Sequence, residues 1–127
     1  LEKFKENSIF INEFINIDLI WNTGIGFGFL SFTDSLSYNI VSFFIATIIL
    51  LLFYITLKSN RFEKIVYSLI LGGALGNLYD RITYNAVPDF IDLHYYNFHW
   101  FTFNFADIFI TIGIIILLAK GIFEKNV

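Results

Sequence analysis

The chain has no cysteine, one proline and few charges: only 15% of its 127 residues are Asp, Glu, Lys or Arg. Without thiols it can form no disulfide, no thiolate nucleophile and no Cys-ligated zinc site. The lone proline, Pro88, lies outside every long apolar run, so nothing in those runs breaks a helix. The net charge of -3 is scattered and includes no basic stripe able to neutralise phosphates, so no nucleic-acid partner is expected. What fills the space left by charge is apolar: 57% hydrophobic residues and a mean hydropathy of +0.69 set the chain apart from ordinary soluble domains.

Three runs have the length of membrane spans, which need about 20 apolar residues at helical rise. They cover Tyr38 to Leu57, Ile65 to Arg81 and Phe103 to Phe123. The 17 Phe and 7 Tyr suit lipid-facing and interfacial surfaces. No internal repeat divides the chain, so residues 1–127 are expected to form a single membrane-embedded domain.

Basic residues set the orientation. Lys58, Arg61 and Lys64 sit between the first two spans, and Lys120 and Lys125 follow or end the third, which assigns both of those sides to the cytoplasm. The segment from Thr83 to Thr102 has no Lys or Arg and is expected to face outward, together with the region before Tyr38, although Lys3 and Lys5 lie there. Three spans leave the amino end outside, and the chain opens on Leu1; a helix upstream of it is expected to restore an inside start.

The polar residues then fall on one membrane level. Asn77, Asp80 and Arg81 end the second span, Asn104 and Asp107 open the third, Asp89 lies between them, and Asn22 precedes the first. Gly73, Asn77 and Arg81 are spaced by four, so they share a helix face, with Gly72 and Gly76 as a small-xxx-small pair on its edge. Close helix packing and a snorkelling Arg81 would account for this pattern as well as a functional wall would. "NFAD" likewise has the spacing of a capping box from Asn104 to Asp107, and capping and chemistry stay open as alternatives.

An Asp inside a span costs about 2.5–3.5 kcal/mol on insertion scales and calls for a partner or a function. Arg81 has Asp80 beside it in the sequence, which leaves Asp89 and Asp107 as two acids in a low-dielectric setting. Like charges so placed share one proton. Such a pair can perform aspartic-protease chemistry, with the ionised acid activating water and the neutral one polarising a scissile carbonyl.

Four blocks carry a resemblance: "NTGIGFGF", "GGALGNLYDRI", "VPDFID" and "FNFADIFI", in this order and at these intervals. From Asn22 to the last span the chain resembles the lipoprotein signal peptidase (signal peptidase II) family. The resemblance implies an intramembrane aspartic endopeptidase of the bacterial inner membrane that removes the signal peptide of a prolipoprotein just before its diacylglyceryl-modified cysteine. It implies an all-α polytopic fold with a small extracytoplasmic β-rich cradle, an active site near the outer face, a cytoplasmic C-terminus, no cofactor, no metal, and a monomer among membrane lipids. Four spans are expected in the family, and the first of them, with an Asp and a Lys near its outer end, is absent from this sequence.

By the same resemblance Asp89 and Asp107 are the catalytic acids, and Asn22, Gly73, Asn77, Arg81 and Asn104 support them or bind substrate. Arg81 is expected to contact the substrate backbone and Asp80 to be structural, a partner for Arg81 or for nearby backbone. Gly26 stands where the family has a slightly larger residue. The outer segments 8–32 and 84–100 are expected to form the cradle and a loop over the site, and the alternation in "INEFINIDLIW" fits short strands.

Other polar residues are set aside on chemical grounds. His94 and His99 lack a third ligand at clear spacing, so a metal is a poor reading. Asp92, three residues from Asp89, ranks second as the loop acid. No Ser-His-Asp order or Lys general base is evident. A non-enzymatic proton or ion relay is the alternative function, but it needs acids or histidines through the depth of the membrane, and the middle and inner parts of the spans lack them.

Overall fold

The structure is a computed structural model and describes residues 8–24 and 35–126. Lys3, Lys5 and Gly26 lie outside the described residues. Two short strands, β1 (Ile9–Phe10) and β2 (Ile15–Asn22), precede the helical hairpin α1 (Ser35–Lys58) and α2 (Arg61–Tyr84). Strands β3 (Val87–Tyr95) and β4 (Phe98–Phe103) follow, and α3 (Phe105–Lys125) ends the chain.

At α2 caps rather than apolarity set the ends, which is why this helix is offset from its apolar run. Asn60 caps α2 by accepting from Glu63 N–H, so the helix begins at Arg61, four residues before the expected start of the span at Ile65. At its other end Asn85 takes the left-handed conformation at φ 56°, which Asn tolerates and which turns the chain into β3. Of the three expected spans, α1 and α3 are long and apolar enough to cross a membrane. The 24 residues of α2 have the length but less apolarity, because Asn77, Asp80 and Arg81 occupy its last two turns.

The helices expose what a soluble protein would hide. Phe43, Leu50 and Leu36 on α1 and Phe123 on α3 are 70% exposed or more. Among the described residues the buried set includes Asn22, Arg81, Asp89, Asp92, His94, Asn104 and Asp107, against only six hydrophobic side chains. An apolar exterior around a polar interior is the arrangement expected where the surrounding solvent is hydrocarbon.

Helices α2 and α3 run antiparallel, with Glu63 on Lys120 at 2.9 Å, Ile70 against Gly113, Gly73 against Ala106 and Ile110, and Asn77 on Asp107. A Cβ at Gly73 would lie 2.7 Å from the Ala106 carbonyl oxygen and 2.8 Å from Ile110 Cγ1, so glycine is what permits this approach. The expected pair Gly72 and Gly76 does not serve this purpose, since a Cβ at either meets nothing within 4 Å. Close packing is carried by Gly73 and Gly113, one on each helix.

The strands form one antiparallel sheet in the order β1-β2-β3-β4. The segment expected as a loop over the site is therefore largely a hairpin of the same sheet, closed at Tyr96 and Asn97, with Tyr96 at φ 50°. Pro88 fits in β3 because β4 pairs only from Ile91 onward, so its missing N–H leaves no gap in that ladder. A bulge in β2 between Ile17 and Ile20 brings Ile20 opposite Asp89 and Asn22 opposite Val87.

Candidate active site

Asp89 sits early in β3, Asn22 ends the neighbouring strand β2, Asn77 and Arg81 lie on the last turns of α2, and Asn104 and Asp107 start α3. The sheet and the helix pair thus meet at one polar point. Asp89 is 1% exposed, the most enclosed of these side chains.

Backbone N–H groups orient Asn104 and Asn22, and Asn104 in turn orients Asn77. Asp107 N–H donates to Asn104 Oδ1 at 3.2 Å, which turns Asn104 Nδ2 toward Asn77 Oδ1 and Asp89 Oδ1, each at 3.0 Å. Because the Asn77 oxygen faces Asn104, its Nδ2 donates to Asp107 Oδ1 at 3.0 Å. Gly24 N–H donates to Asn22 Oδ1 at 2.8 Å, so Asn22 Nδ2 donates to Asp89 Oδ2 at 3.1 Å. The fourth carboxylate oxygen, Asp107 Oδ2, accepts from Asn104 N–H at 3.0 Å. Among the described residues each oxygen of the two acids is held by one N–H donor, which leaves a further lone pair for a proton, water or substrate.

Capping and site geometry, open alternatives in the sequence, coexist. The Asn104–Asp107 capping box is complete, and the same two residues reach Asp89 and Asn77 with their remaining atoms. The N-terminus of α3 adds a partial positive charge near both carboxylates.

Burial, and then the charge of Asp107, push the Asp89 carboxyl up to about 6; the hydrogen bonds from Asn22 and Asn104 and the charge of Arg81 act in the opposite direction. A carboxyl so poised can hold or release a proton near neutral pH.

Arg81 lies in the cluster but is turned to its own chain. Its Nη1 is 3.5 Å from Thr23 O, its Nη2 donates to Gly24 O, and its guanidinium lies 5.3 Å from the centroid of the Tyr38 ring. Among the described residues no ion pair joins it to Asp80, so of the two structural roles expected for Asp80, partner to Arg81 or to nearby backbone, the first is not seen. Consecutive helix residues point about 100° apart, so adjacency in sequence did not make them neighbours. Tyr38, whose hydroxyl donates to Arg81 O at 2.8 Å, went unnoticed in the sequence; the available signal was an aromatic at the start of the first span, the end level with Arg81.

Asp92 belongs elsewhere. Residues 89 and 92 of a regular strand point to opposite faces, and Asp92 Oδ2 pairs with His99 Nδ1 at 2.7 Å. His94 Nδ1 is 3.2 Å from Tyr96 O, and the two imidazoles lie 5.4 Å apart on that face.

Two apolar hollows lie along the first turns of α3, and one of them is bordered by Asp107. One of about 390 Å³, between α2 and α3, is lined by residues that include Leu69, Gly73, Ala106 and Phe109. A second, about 190 Å³, is bordered by Phe103, Asp107, Ile108, Thr111 and Ile112.

The signal peptidase (SPase) II family model matches residues 1–123. The chain is 51% identical over 118 residues to a lipoprotein signal peptidase of Pelagibacter ubique, covering 93% of this chain and 71% of that protein. It is 42% identical over 124 residues to the lipoprotein signal peptidase of Francisella tularensis subsp. novicida, covering 94% and 76%. A solved bacterial membrane enzyme superposes with a TM-score of 0.70 at 32% identity, over 94% of this chain and 73% of that one. By the match of nearly its whole length, this chain belongs to the signal peptidase II family.

Proposed function

We propose that this chain is an aspartic endopeptidase of the bacterial inner membrane, which removes the signal peptide from diacylglyceryl-modified prolipoproteins by cutting before the lipidated cysteine. Asp89 and Asp107 are its reacting acids, and Asn22, Gly73, Asn77, Arg81 and Asn104 their supports. The observation that carries this is the set of four N–H donors, one on each carboxylate oxygen of the two acids. Family membership and the lipoprotein signal peptidase relatives support the substrate class.

Chemistry follows from one shared proton. The ionised acid takes a proton from water as the water oxygen bonds to the scissile carbonyl carbon, while the neutral acid donates to the carbonyl oxygen. Collapse of the tetrahedral gem-diol breaks the C–N bond as the acid that took the water's proton passes it to the leaving amine, while the protonated carbonyl oxygen returns its proton to the other acid and restores the one-proton pair. The fixed amides keep both carboxylates oriented throughout, so little reorganisation accompanies the step. No cofactor is required.

A signal peptide is apolar, and the hollow beside Asp107 offers it an apolar berth next to the acids. The three helices act as spans of a single peptidase domain. The basic residues Lys58, Arg61, Lys64 and Lys125 favour a cytoplasmic position for the α1–α2 turn and the C-terminus, with the acids near the outer face and the lipid of the substrate held at that interface. The enzyme works as a monomer in the lipid.

The test is incubation of the full chain, reconstituted in lipid, with one prolipoprotein presented both with and without its diacylglyceryl group. Cleavage directly before the lipidated cysteine, and no comparable cleavage of the unmodified form, is expected. Equal cleavage of both forms, or none of either, would overturn the substrate assignment.

A further inference from the structure

Between α1 and Asp89 the structure contains a single file of contacts. The Tyr38 hydroxyl donates to Arg81 O at 2.8 Å, and the Tyr38 ring lies beside the Arg81 guanidinium at 5.3 Å. The guanidinium reaches the carbonyl oxygens of Thr23 and Gly24. Gly24 N–H then holds Asn22 Oδ1 at 2.8 Å, which leaves Asn22 Nδ2 to donate to Asp89 Oδ2 at 3.1 Å.

We propose that Arg81 is a positioning residue that acts through Asn22: with Tyr38 as its platform it grips the Thr23–Gly24 backbone and thereby holds the Asn22 amide on Asp89. The assignment rests on Asp89 and Asp107 being the reacting pair.

Four physical features support it. The pairing of β2 with β3 ends at Asn22 opposite Val87, so Thr23 and Gly24 run on beyond the ladder, and Arg81 takes their carbonyls. A planar guanidinium can span two successive carbonyls with separate N–H groups, whereas an ammonium acts as a point donor. The orientation of Asn22 depends on Gly24 N–H, so a shift of Gly24 frees the amide to turn away from Asp89. Arg81 itself is 2% exposed, and in such a setting a guanidinium must have acceptors; here they are backbone carbonyls of the turn after β2.

The groups that act on Asp89 are Asp107 from α3, Arg81 from α2, Asn22 from β2 and Asn104 at the head of α3. The Asn22 hydrogen bond favours the ionised form of Asp89, as does the Arg81 charge. Arg81→Lys keeps that charge and removes the fork, which separates positioning from electrostatics.

The experiment is a double-mutant cycle of Arg81→Lys and Asn22→Ala, reading kcat and KM against pH on a lipid-modified precursor, with thermal melts of each variant. Each single variant is expected to lower kcat by about 10- to 100-fold, the range for a lost hydrogen bond to a charged group. The double variant should be no worse than the weaker single variant, and both singles should move the alkaline limb of the pH profile upward by similar amounts. Tyr38→Phe, which deletes only a hydroxyl, should give the same upward movement in milder form and keeps the test alive if Arg81→Lys fails to fold. Additive losses dominated by KM, with the limb unmoved, would mean that Arg81 touches substrate directly and would overturn the proposal. If instead Asp89→Asn cleaves normally, the underlying assignment of the acids fails; an additive cycle with both acids essential sinks only the Arg81 assignment.

Discussion

Asn104 donates through its side-chain nitrogen to Asp89 at 3.0 Å, while the same residue is the N-cap of the helix that carries Asp107. One side chain therefore ties the sheet to the helix pair and sets the relation of the two acids. Its Oδ1 serves the cap, and both N–H groups of its Nδ2 serve the site, one on Asp89 and one on Asn77.

Separating these duties gives the first prediction. Asn104→Ser keeps a good N-cap acceptor but is too short to donate to Asp89. Its melting temperature is expected to stay near that of the parent, while kcat falls by roughly 10- to 100-fold, as for loss of a hydrogen bond to a charged group. A variant that melts much lower and cleaves normally would show that Asn104 only caps α3.

The glycines of α2 make the second prediction. Gly73→Ala drives a Cβ to within 2.7 Å of the Ala106 carbonyl, backbone that a helix cannot easily move, and is expected to destabilise by about 1–3 kcal/mol. Because Gly73 lies one turn before Asn77, activity should fall as well. Gly76→Ala meets nothing and is expected to be neutral, or more stable by about 0.5–1 kcal/mol from helix propensity. Thermal melts of the two variants in the same lipid or detergent give the comparison, and the opposite order would contradict the packing described.

The sequence made much of this site legible because its polar residues stand out against apolar runs and their helical spacing can be counted. Asn77 and Arg81 on one face of α2, and the Asn104–Asp107 box, needed only that arithmetic. Strand alternation explains what was harder to read: Asp89 and Asp92 are three apart in a segment read as a loop, and only its assignment as β3 puts them on opposite faces. Pairwise partners of long side chains were not legible. Arg81 was matched with adjacent Asp80, yet it turns to the Thr23 and Gly24 carbonyls, 58 and 57 residues away in the chain. The Gly72–Gly76 motif misled in the same way, since spacing identifies a helix edge without saying what lies against it.

Asp92 supplies the third prediction. Its carboxylate faces His99 on the far side of the sheet, and an Asn there still accepts from the imidazole. Asp92→Asn should retain cleavage within about 10-fold of the parent, the scale of a single weakened hydrogen bond. Complete loss of cleavage in a folded Asp92→Asn protein would move the loop acid from position 89 to position 92.

The raised Asp89 carboxyl sets the fourth. Below about 6 it holds its proton; as pH rises through that value it ionises beside Asp107, and the one-proton state is lost. The profile of kcat/KM, which reports the free enzyme, should therefore turn down on the alkaline side at or somewhat above about 6. Removing the Asn104 or Asn22 hydrogen bond, each of which favours the ionised form, should move that limb to higher pH. A limb that moves down in those variants would contradict the hydrogen-bond assignment.

Cleavage of a lipid-modified prolipoprotein by the Asp89→Asn and Asp107→Asn variants, each folded and inserted, tests the central claim most directly. Both should lose roughly 100-fold or more of the parental rate, the least expected when one member of an acid–base pair is removed. Turnover at the parental rate by either variant would remove that residue from the reacting pair and with it the proposed mechanism.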